Sequence, residues 1–244
     1  MKFTTFKKAK GENRLTLKHI APDDIISGMK DCTPDSTIKE YREIFLALDK
    51  PENWIKYDSL VRVCPVSEYC RGKNGNMRWK SYNGVSVIEI RGTNNALEIE
   101  KAKRQAAMLP QVFAAFTGAD GYSVIALTIA FLPDGQLPGT EKDCLLFATK
   151  AYALSVHTIQ PSLDFPICIK APSLDSFFLK SYDPAPYYNP EALPFVFEQP
   201  EEMDIQRLGA TKENRSPLYD MKPGYESYAT FTRVFNAAFS RALN

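Results

Sequence analysis

The sequence predicts an α/β protein of the α+β type whose middle third forms a β-α-β-β-α-β unit. Three apolar, β-branched segments of strand length, 85–90, 112–117 and 124–131, are bounded by turn residues or by a helical pattern. Helical apolar spacing follows the first of them over 95–109 and returns after Thr140. This order is ferredoxin-like, and the right-handed crossover rule places both helices on one face of an antiparallel sheet.

The composition is that of a globular protein and indicates no strong partner preference. Of the 244 residues, 44% are hydrophobic and 24% are charged, and the net charge is +1. A strong basic excess is missing, so DNA coating by the whole chain is not indicated, although a local basic patch is compatible with these values. The chain begins without the apolar region of a signal peptide and has no run long enough to span a membrane. We therefore expect a cytoplasmic protein without a membrane partner.

The cysteines favour a reducing compartment, because they are odd in number and scattered. We expect free thiols rather than a disulfide framework or a zinc site. The five cysteines are Cys32, Cys64, Cys70, Cys144 and Cys168.

An N-terminal extension, residues 1–84, carries shorter predicted elements. Residues 15–17 indicate a short strand, and apolar spacing over 38–48 indicates a helix. Residues 60–63 indicate another strand, and the turn-rich, basic stretch 71–76 indicates the loop of a hairpin.

Local signals also define the boundaries inside the core, residues 85–182. Asn94 or Asn95 can cap the first core helix, and Pro110 ends it. The Asp-Gly turn at 120–121 is an ordinary hairpin signal between the second and third strands.

The fourth strand of the core has two candidates, of which 177–179 is preferred and 166–169 competes. The domain is expected to cover residues 1–200, and 201–244 to form an acidic linker followed by an amphipathic helix at about 227–243. The apolar stripe of that helix must pack against this core or against a partner.

The first candidate site is formed by Glu89 and Arg91, which lie on the same face of one predicted strand. In metal-dependent nucleotidyl enzymes two carboxylates at this spacing share divalent ions. Arg91 cannot bind a cation, so it would pair with Glu89 or contact a phosphate. A surface ion pair of little energetic weight is the commoner interpretation.

Three further stretches contain candidate ligand-binding residues. The turn over 117–123 could offer amide N–H groups to a phosphate or simply connect two strands. Basic residues of the 71–78 hairpin lie beside Trp79, and the tyrosines of the run 181–190 could stack on bases or cover a sheet edge. Together with Arg91 of the first site, the residues assigned to nucleotide or nucleic-acid binding are Arg71, Lys73, Arg78, Trp79, Tyr182, Asp183, Tyr187 and Tyr188.

The run Ser181-Tyr-Asp-Pro-Ala-Pro-Tyr-Tyr-Asn-Pro-Glu-Ala-Leu-Pro-Phe195 resembles the VirE-type N-terminal domain, a primase-polymerase-like domain of bacterial mobile-element and phage replication proteins. Residues 82–92 are similar to a strand of that family, and 109–117 match it more weakly. The resemblance covers about 35–197. It implies an RRM-like core, as in archaeo-eukaryotic primase-like domains, and a chain that continues into a helicase or other replicative domain.

The resemblance also implies metal-binding carboxylates, which this sequence contains only in part. Glu89 stands at the family's first metal-binding aspartate, but Arg91 stands at the second. The turn over 117–124 has no phosphate-binding lysine, and no arginine follows Asp175. We therefore expect that two-metal catalysis is lost and that no cofactor is needed; an active enzyme would use Glu89 and Asp175 to bind Mg²⁺ or Mn²⁺.

Three functions from different classes remain as hypotheses. The favoured one is a catalytically degenerate primase-polymerase-like domain that binds single-stranded nucleic acid, a nucleotide, or a replication protein such as a helicase. The second is an active, metal-dependent DNA primase. The third is a protein-interaction module that acts through the C-terminal helix and has no nucleic-acid function.

Overall fold

The computed structural model describes residues 1–8, 15–30, 36–44 and 60–201, and within these ranges the fold is mixed α+β with antiparallel sheets and four helices. The strands are β1 (Phe3–Lys8), β2 (Leu15–Ile20), β3 (Arg62–Cys64), β4 (Ser67–Arg71), β5 (Met77–Tyr82), β6 (Val85–Ile90), β7 (Val112–Thr117), β8 (Val124–Phe131), β9 (Ile167–Cys168), β10 (Phe178–Leu179), β11 (Tyr187–Tyr188) and β12 (Phe195–Val196). The helices are α1 (Pro22–Lys30), α2 (Ser36–Ile44), α3 (Ala96–Ala107) and α4 (Glu141–Ile159), and a short 3₁₀ turn covers Gln160–Ser162.

Some predicted features lie outside these residues. They are the C-terminal helix at 227–243, most of the acidic linker, Cys32, and the predicted end of the helix that begins at α2. In the described ranges, Cys64, Cys70, Cys144 and Cys168 form no disulfide bond. Within the described ranges, no helix combines the length and the apolar character that crossing a bilayer requires.

The central sheet has the strand order β11-β7-β8-β6-β9, and β12 joins the end of β8 in parallel. The other pairings in this sheet are antiparallel, with Ile88 opposite Ala126 and Phe116 opposite Ile125. Both core helices begin where the sequence predicts. Asn95 caps α3 by accepting a hydrogen bond from the amide of Glu98, and Thr140 caps α4.

Helices α3 and α4 pack on the same face of the central sheet. Ile88 and Ile90 of β6 are fully buried there, against Ala102 and Ala106 of α3 and the aromatic ring of Tyr152 on α4. A buried hydrogen bond between the hydroxyls of β8 and α4, at Thr128 and Ser155, lies between these layers.

An N-terminal layer covers the opposite face of the central sheet. It consists of α1 and an antiparallel sheet of order β10-β3-β1-β2. Phe116 and Leu127 from the central sheet are buried against Phe3 of β1 and Met29 of α1. Phe116 also meets Phe178 of β10 edge to face, with ring centroids 4.9 Å apart.

The preferred prediction for the fourth core strand is wrong, and the competing segment takes that place. Ile167 and Cys168 pair with β6, whereas β10 pairs with β3 in the N-terminal layer. After α4 the chain turns back to the β6 edge within a few residues, and the side chain of Gln160 holds this turn. It accepts a hydrogen bond from the Ile167 amide at 2.9 Å and donates one to the Phe165 carbonyl at 3.2 Å.

Strands β4 and β5 form a separate two-stranded sheet, as the basic hairpin loop predicts. The side chain of Thr4 in β1 connects this sheet to the N-terminal layer, since its hydroxyl donates to the Ser67 carbonyl and accepts from the Tyr69 amide. The hairpin is thus attached to the N-terminal layer through β1.

We predict that Phe116→Ala lowers the free energy of unfolding by about 3–5 kcal/mol, because it removes a fully buried ring between two layers. Phe177→Ala is the matched control. Its ring is 40% exposed and makes one cation–π contact with Arg62, so its loss is expected to cost about 1 kcal/mol or less. Urea unfolding followed by circular dichroism measures both, and equal losses would contradict the assigned layer packing.

Candidate functional site

The carboxylate of Glu89 lies at the end of β6, on the face opposite to α3 and α4, and is only 9% exposed. Its two oxygens bind different cations: Nε of Arg91 lies 2.5 Å from Oε1, and Nζ of Lys170 lies 2.5 Å from Oε2. Burial alone would raise the pKa of Glu89, but the charges and hydrogen bonds of these cations lower it to about 2. Glu89 is therefore a charged, fully paired carboxylate.

The turn between β7 and β8 is held together by the side chain of Asp120. Its Oδ1 atom accepts hydrogen bonds from the amides of Tyr122 and Ser123, at 2.8 and 2.9 Å, and from the Ser123 hydroxyl. The amides of Gly118 and Gly121 donate to carbonyls inside the same turn. These four N–H groups are not directed at a phosphate, so the geometry favours the hairpin-turn interpretation. Burial and the nearby charge of Glu89 both raise the pKa of Asp120.

Arg42 of α2 links this turn to the run that begins at Ser181. Its guanidinium donates to the carbonyls of Gly118 and Ala119 at 3.3 Å and to the Tyr182 carbonyl at 2.7 Å. It also donates to the Ser181 hydroxyl. Burial lowers the pKa of Arg42, while the carboxylates around it act in the opposite direction. The role of Arg42 is therefore to hold carbonyl-rich backbone together.

Asp183, a predicted ligand-binding residue, forms a buried ion pair instead. It is fully buried, and Nζ of Lys103, which is 3% exposed, lies 3.0 and 2.8 Å from its two oxygens. The amide and hydroxyl of Thr117 and the amide of Ala185 complete its hydrogen bonds. Burial acts to raise the pKa of Asp183, but the hydrogen bond from Lys103 and those from the backbone amides lower it overall.

Sequence reasoning missed Lys103, although a signal was present. Lys103 stands between the buried residues Ile99, Ala102 and Ala106 of α3, so a lysine interrupts the apolar stripe of an amphipathic helix. A buried lysine requires an anionic partner. That partner, Asp183, is 80 residues distant in the sequence, so the stripe alone could not identify it.

The tyrosines of the run cover a sheet edge, which is one of the two roles that the sequence allows. Tyr187 and Tyr188 form β11 beside Ala115 and Ala114 of β7, and the hydroxyl of Tyr188 donates to the carboxylate of Asp23. Both side chains are half-buried. Tyr182 is also half-buried and packs against the cluster that contains Ile38, Tyr41, Leu60 and Ala119. None of the three presents a fully exposed ring.

The predicted basic residues of the hairpin gather at its end, in a segment that we call the hairpin tip, residues 71–78. Arg71, Lys73 and Arg78 are exposed there, and the guanidinium of Arg71 also donates to the Leu15 carbonyl. Trp79 differs from them. Its indole is half-buried against the body, and Nε1 donates to the Ser67 hydroxyl at 3.2 Å.

The remaining carboxylates do not complete a metal site with Glu89. Asp175 is exposed in the loop before β10, where its carboxylate accepts a hydrogen bond from the Ser173 hydroxyl. Asp164 is exposed on the other side of the sheet and pairs with Lys101 of α3 at 2.6 Å. In the part of the chain that the structure describes, no group of three His, Cys, Asp or Glu residues could hold a metal ion. Because both oxygens of Glu89 already bind cations, these residues do not fit a two-metal centre.

A family model, described as the BT4734-like N-terminal domain, matches residues 56–188, which is more than half of the chain. This is a different family from the VirE-type domain, so the resemblance drawn from residues 181–195 identified the wrong family. Those residues form β11, β12 and the buried pair of Asp183, so packing requirements account for their pattern. No curated protein and no solved structure matches the chain.

We predict that Asp183→Asn lowers the free energy of unfolding by about 3–5 kcal/mol, because it removes the buried counter-charge of the Lys103 ammonium and leaves only the more exposed carboxylate of Glu100 beside it. The control, Asp164→Asn, breaks an exposed lysine–carboxylate pair and should have a much smaller effect. Adding Lys103→Met to Asp183→Asn should recover part of the loss. Denaturant unfolding decides this, and strictly additive losses in the double variant would contradict the coupling.

We also predict a pH dependence that comes from Glu89. Its pKa is depressed to about 2 in the folded protein, from about 4.5, so its stabilising contribution is present above about 4.5 and is lost as pH falls through about 2. The difference in unfolding free energy between the natural chain and Glu89→Gln should therefore shrink over this range. Urea titrations at several pH values measure it, and a constant difference from pH 5 to pH 2.5 would refute the assignment.

Proposed function

The chain belongs to the family of BT4734-like N-terminal domains, and we propose that it is a nucleic-acid-binding module that contacts phosphates through its hairpin tip. The observation that carries this proposal is the local charge. The eight residues of the tip, Arg-Gly-Lys-Asn-Gly-Asn-Met-Arg, contain three cations and no acid, whereas the whole chain has a net charge of only +1. Exposed Arg and Lys clusters of this kind bind the phosphate backbone by releasing its counterions.

The central sheet also favours the hairpin tip as the binding surface, because the sheet face that binds nucleic acid in RRM folds is covered here. We propose that the sheet is RRM-like. This assignment rests on the strand order, in which β8 lies between β6 and β7 and so separates the two strands that α3 connects. RRM sheets bind single strands by stacking bases on the face opposite to the helices. Here that face packs against the N-terminal layer. A nucleic acid would therefore approach the hairpin rather than the sheet.

The chemistry of Glu89 supports a binding role rather than nucleotidyl transfer. Arg91 and Lys170 neutralise the carboxylate, and a divalent ion would have to displace both cations to reach it. A requirement for Mg²⁺ or Mn²⁺ therefore receives no support from this arrangement.

The other predicted roles stay predictions. A primase-polymerase function and a place in the replication of a mobile element were implied by the VirE-type resemblance, and that support no longer holds. A helicase or other replication protein as partner is untested, as is the protein-interaction role of the C-terminal helix, which lies outside the described residues.

We predict that the triple variant Arg71→Gln, Lys73→Gln, Arg78→Gln weakens the binding of a fluorescent oligonucleotide at least about tenfold at low salt. The slope of log affinity against log salt should fall by about 2 to 3, since up to three phosphate contacts are lost. Fluorescence anisotropy at salt concentrations from about 50 to about 200 mM measures both the affinity and the salt slope, because phosphate-mediated affinities change strongly over this range.

The charge-matched control is Lys39→Gln, Lys101→Gln, Arg104→Gln, which removes three exposed cations from α2 and α3. It should retain nearly the natural affinity and salt slope. Equal weakening by the two triple variants would mean that net charge, and not the hairpin tip, causes binding. Template-dependent nucleotide incorporation by the natural chain would contradict a purely binding role.

A further inference from the structure

The hairpin that ends in the tip is an ordered two-stranded ribbon. Its register runs from Ser67 opposite Tyr82 to Arg71 opposite Met77, and a cross-strand ion pair joins Lys80 to Glu68 at 2.8 Å. The turn is closed by two backbone hydrogen bonds, from Gly72 to the Asn76 carbonyl at 2.8 Å and from Gly75 to the Gly72 carbonyl at 2.9 Å. Gly75 has a φ of +77°, which favours glycine.

The base of the ribbon is fixed to the N-terminal layer. His19 of β2 contacts the Tyr69 carbonyl through Nε2 at 2.8 Å, and the ring of Tyr69 meets Phe6 of β1 edge to face, with centroids 5.9 Å apart. Because base and turn are both held, the ribbon presents its tip in one orientation. Binding would then require little ordering of the tip, which lowers the entropic cost of recognition.

The tip offers no surface on which bases could stack. The segment from Cys70 to Arg78 contains no aromatic residue. The aromatic residues nearest to it in the hairpin, Tyr69 and Trp79, are half-buried and pack against the body of the protein. Sequence-independent binding of single strands relies on stacking platforms, so this ribbon lacks the feature that a single-stranded ligand needs.

The side chains that the tip does expose suit the edges of paired bases. Lys73, Asn74, Asn76 and Arg78 are all exposed. In the major groove, Asn forms paired hydrogen bonds with adenine N6 and N7, while neighbouring Lys and Arg side chains can contact the phosphates on either side. That groove, about 12 Å wide in B-form DNA, admits a two-stranded β-ribbon. The major groove of A-form RNA is too deep and narrow for side chains to read.

We propose that the β4–β5 ribbon enters the major groove of double-stranded DNA, with Asn74 and Asn76 at the base edges and the cations of the tip at the flanking phosphates. This inference rests on the proposed function, since it assigns the ligand class of the same hairpin tip. It also changes the expected ligand from a single strand to a duplex. Gly72 and Gly75 leave the backbone of the turn without side chains that would hold it away from the bases.

The test uses the full chain and three probes of one mixed sequence: single-stranded DNA, the corresponding DNA duplex, and the corresponding RNA duplex. Fluorescence anisotropy should give an affinity for the DNA duplex at least about tenfold higher than for the other two. Equal or tighter binding of the single strand or of the RNA duplex would overturn the inference and leave phosphate binding by the tip intact. Failure of all three probes to bind would instead refute the proposed function.

Groove choice has its own readout in methylation interference. Dimethyl sulfate methylates guanine N7 in the major groove and adenine N3 in the minor groove. Interference at guanine N7 is the expected result, and interference confined to adenine N3 would overturn the inference.

A double variant of the tip distinguishes the contribution of base contacts from that of phosphate contacts. Asn74→Ala with Asn76→Ala should reduce discrimination among duplexes selected from a random pool, by about tenfold or more, while keeping salt-dependent binding to unselected DNA. The control, Gln136→Ala, removes an exposed amide from another turn and should leave discrimination unchanged. Unchanged discrimination in the Asn variant would contradict base contact by the tip.

Discussion

The ion pair between Asp183 and Lys103 is the constraint on which much of the described fold depends. Both charges are buried, and each has partners besides the other. The carboxylate accepts hydrogen bonds from the amide and hydroxyl of Thr117, and the ammonium also pairs with Glu100 at 2.6 Å. The pair connects α3 and β7 across one face of the central sheet. On the other face, the amide of Asp183 donates to the carbonyl of Met29 at the end of α1. Both layers are therefore fixed relative to one acidic residue.

This arrangement limits where the protein can meet a ligand. The central sheet has helices on one face and the N-terminal layer on the other, and β11 covers the outer edge of β7. The polar residues at the end of the sheet are used internally, since Glu89 is paired with two cations and Asp120 with its own turn. Among the described residues, no carboxylate pairs with the exposed cations of the hairpin tip, although Arg71 donates to the Leu15 carbonyl. This is why the proposed recognition lies in a ribbon outside the core.

Local features were predictable from the sequence, and long-range pairings were not. The strands at 85–90, 112–117 and 124–131 were confirmed to the residue, because alternation and turn residues act over short distances. The fourth strand depended on a contact between Gln160 and the returning chain, and the predicted 177–179 segment belongs to another sheet. Asp183 was recognised as distinctive, but its partner lies on a distant helix, so a structural charge was interpreted as a binding residue. The stacking role of Tyr187 and the binding role of Trp79 were likewise predicted without knowledge of which side of each ring would be buried.

The separation of the hairpin tip from the core has an evolutionary consequence. Residues 73, 74 and 76 are exposed and make no contribution to the buried clusters, so their replacement would alter the proposed recognition with little change in foldability. The core, by contrast, couples distant positions, and a change at Lys103 would require a matching change at Asp183. Homologues are therefore free to diverge in the ligand they recognise while they retain one scaffold, provided that the positive φ at position 75 is served by glycine or by another residue that tolerates it.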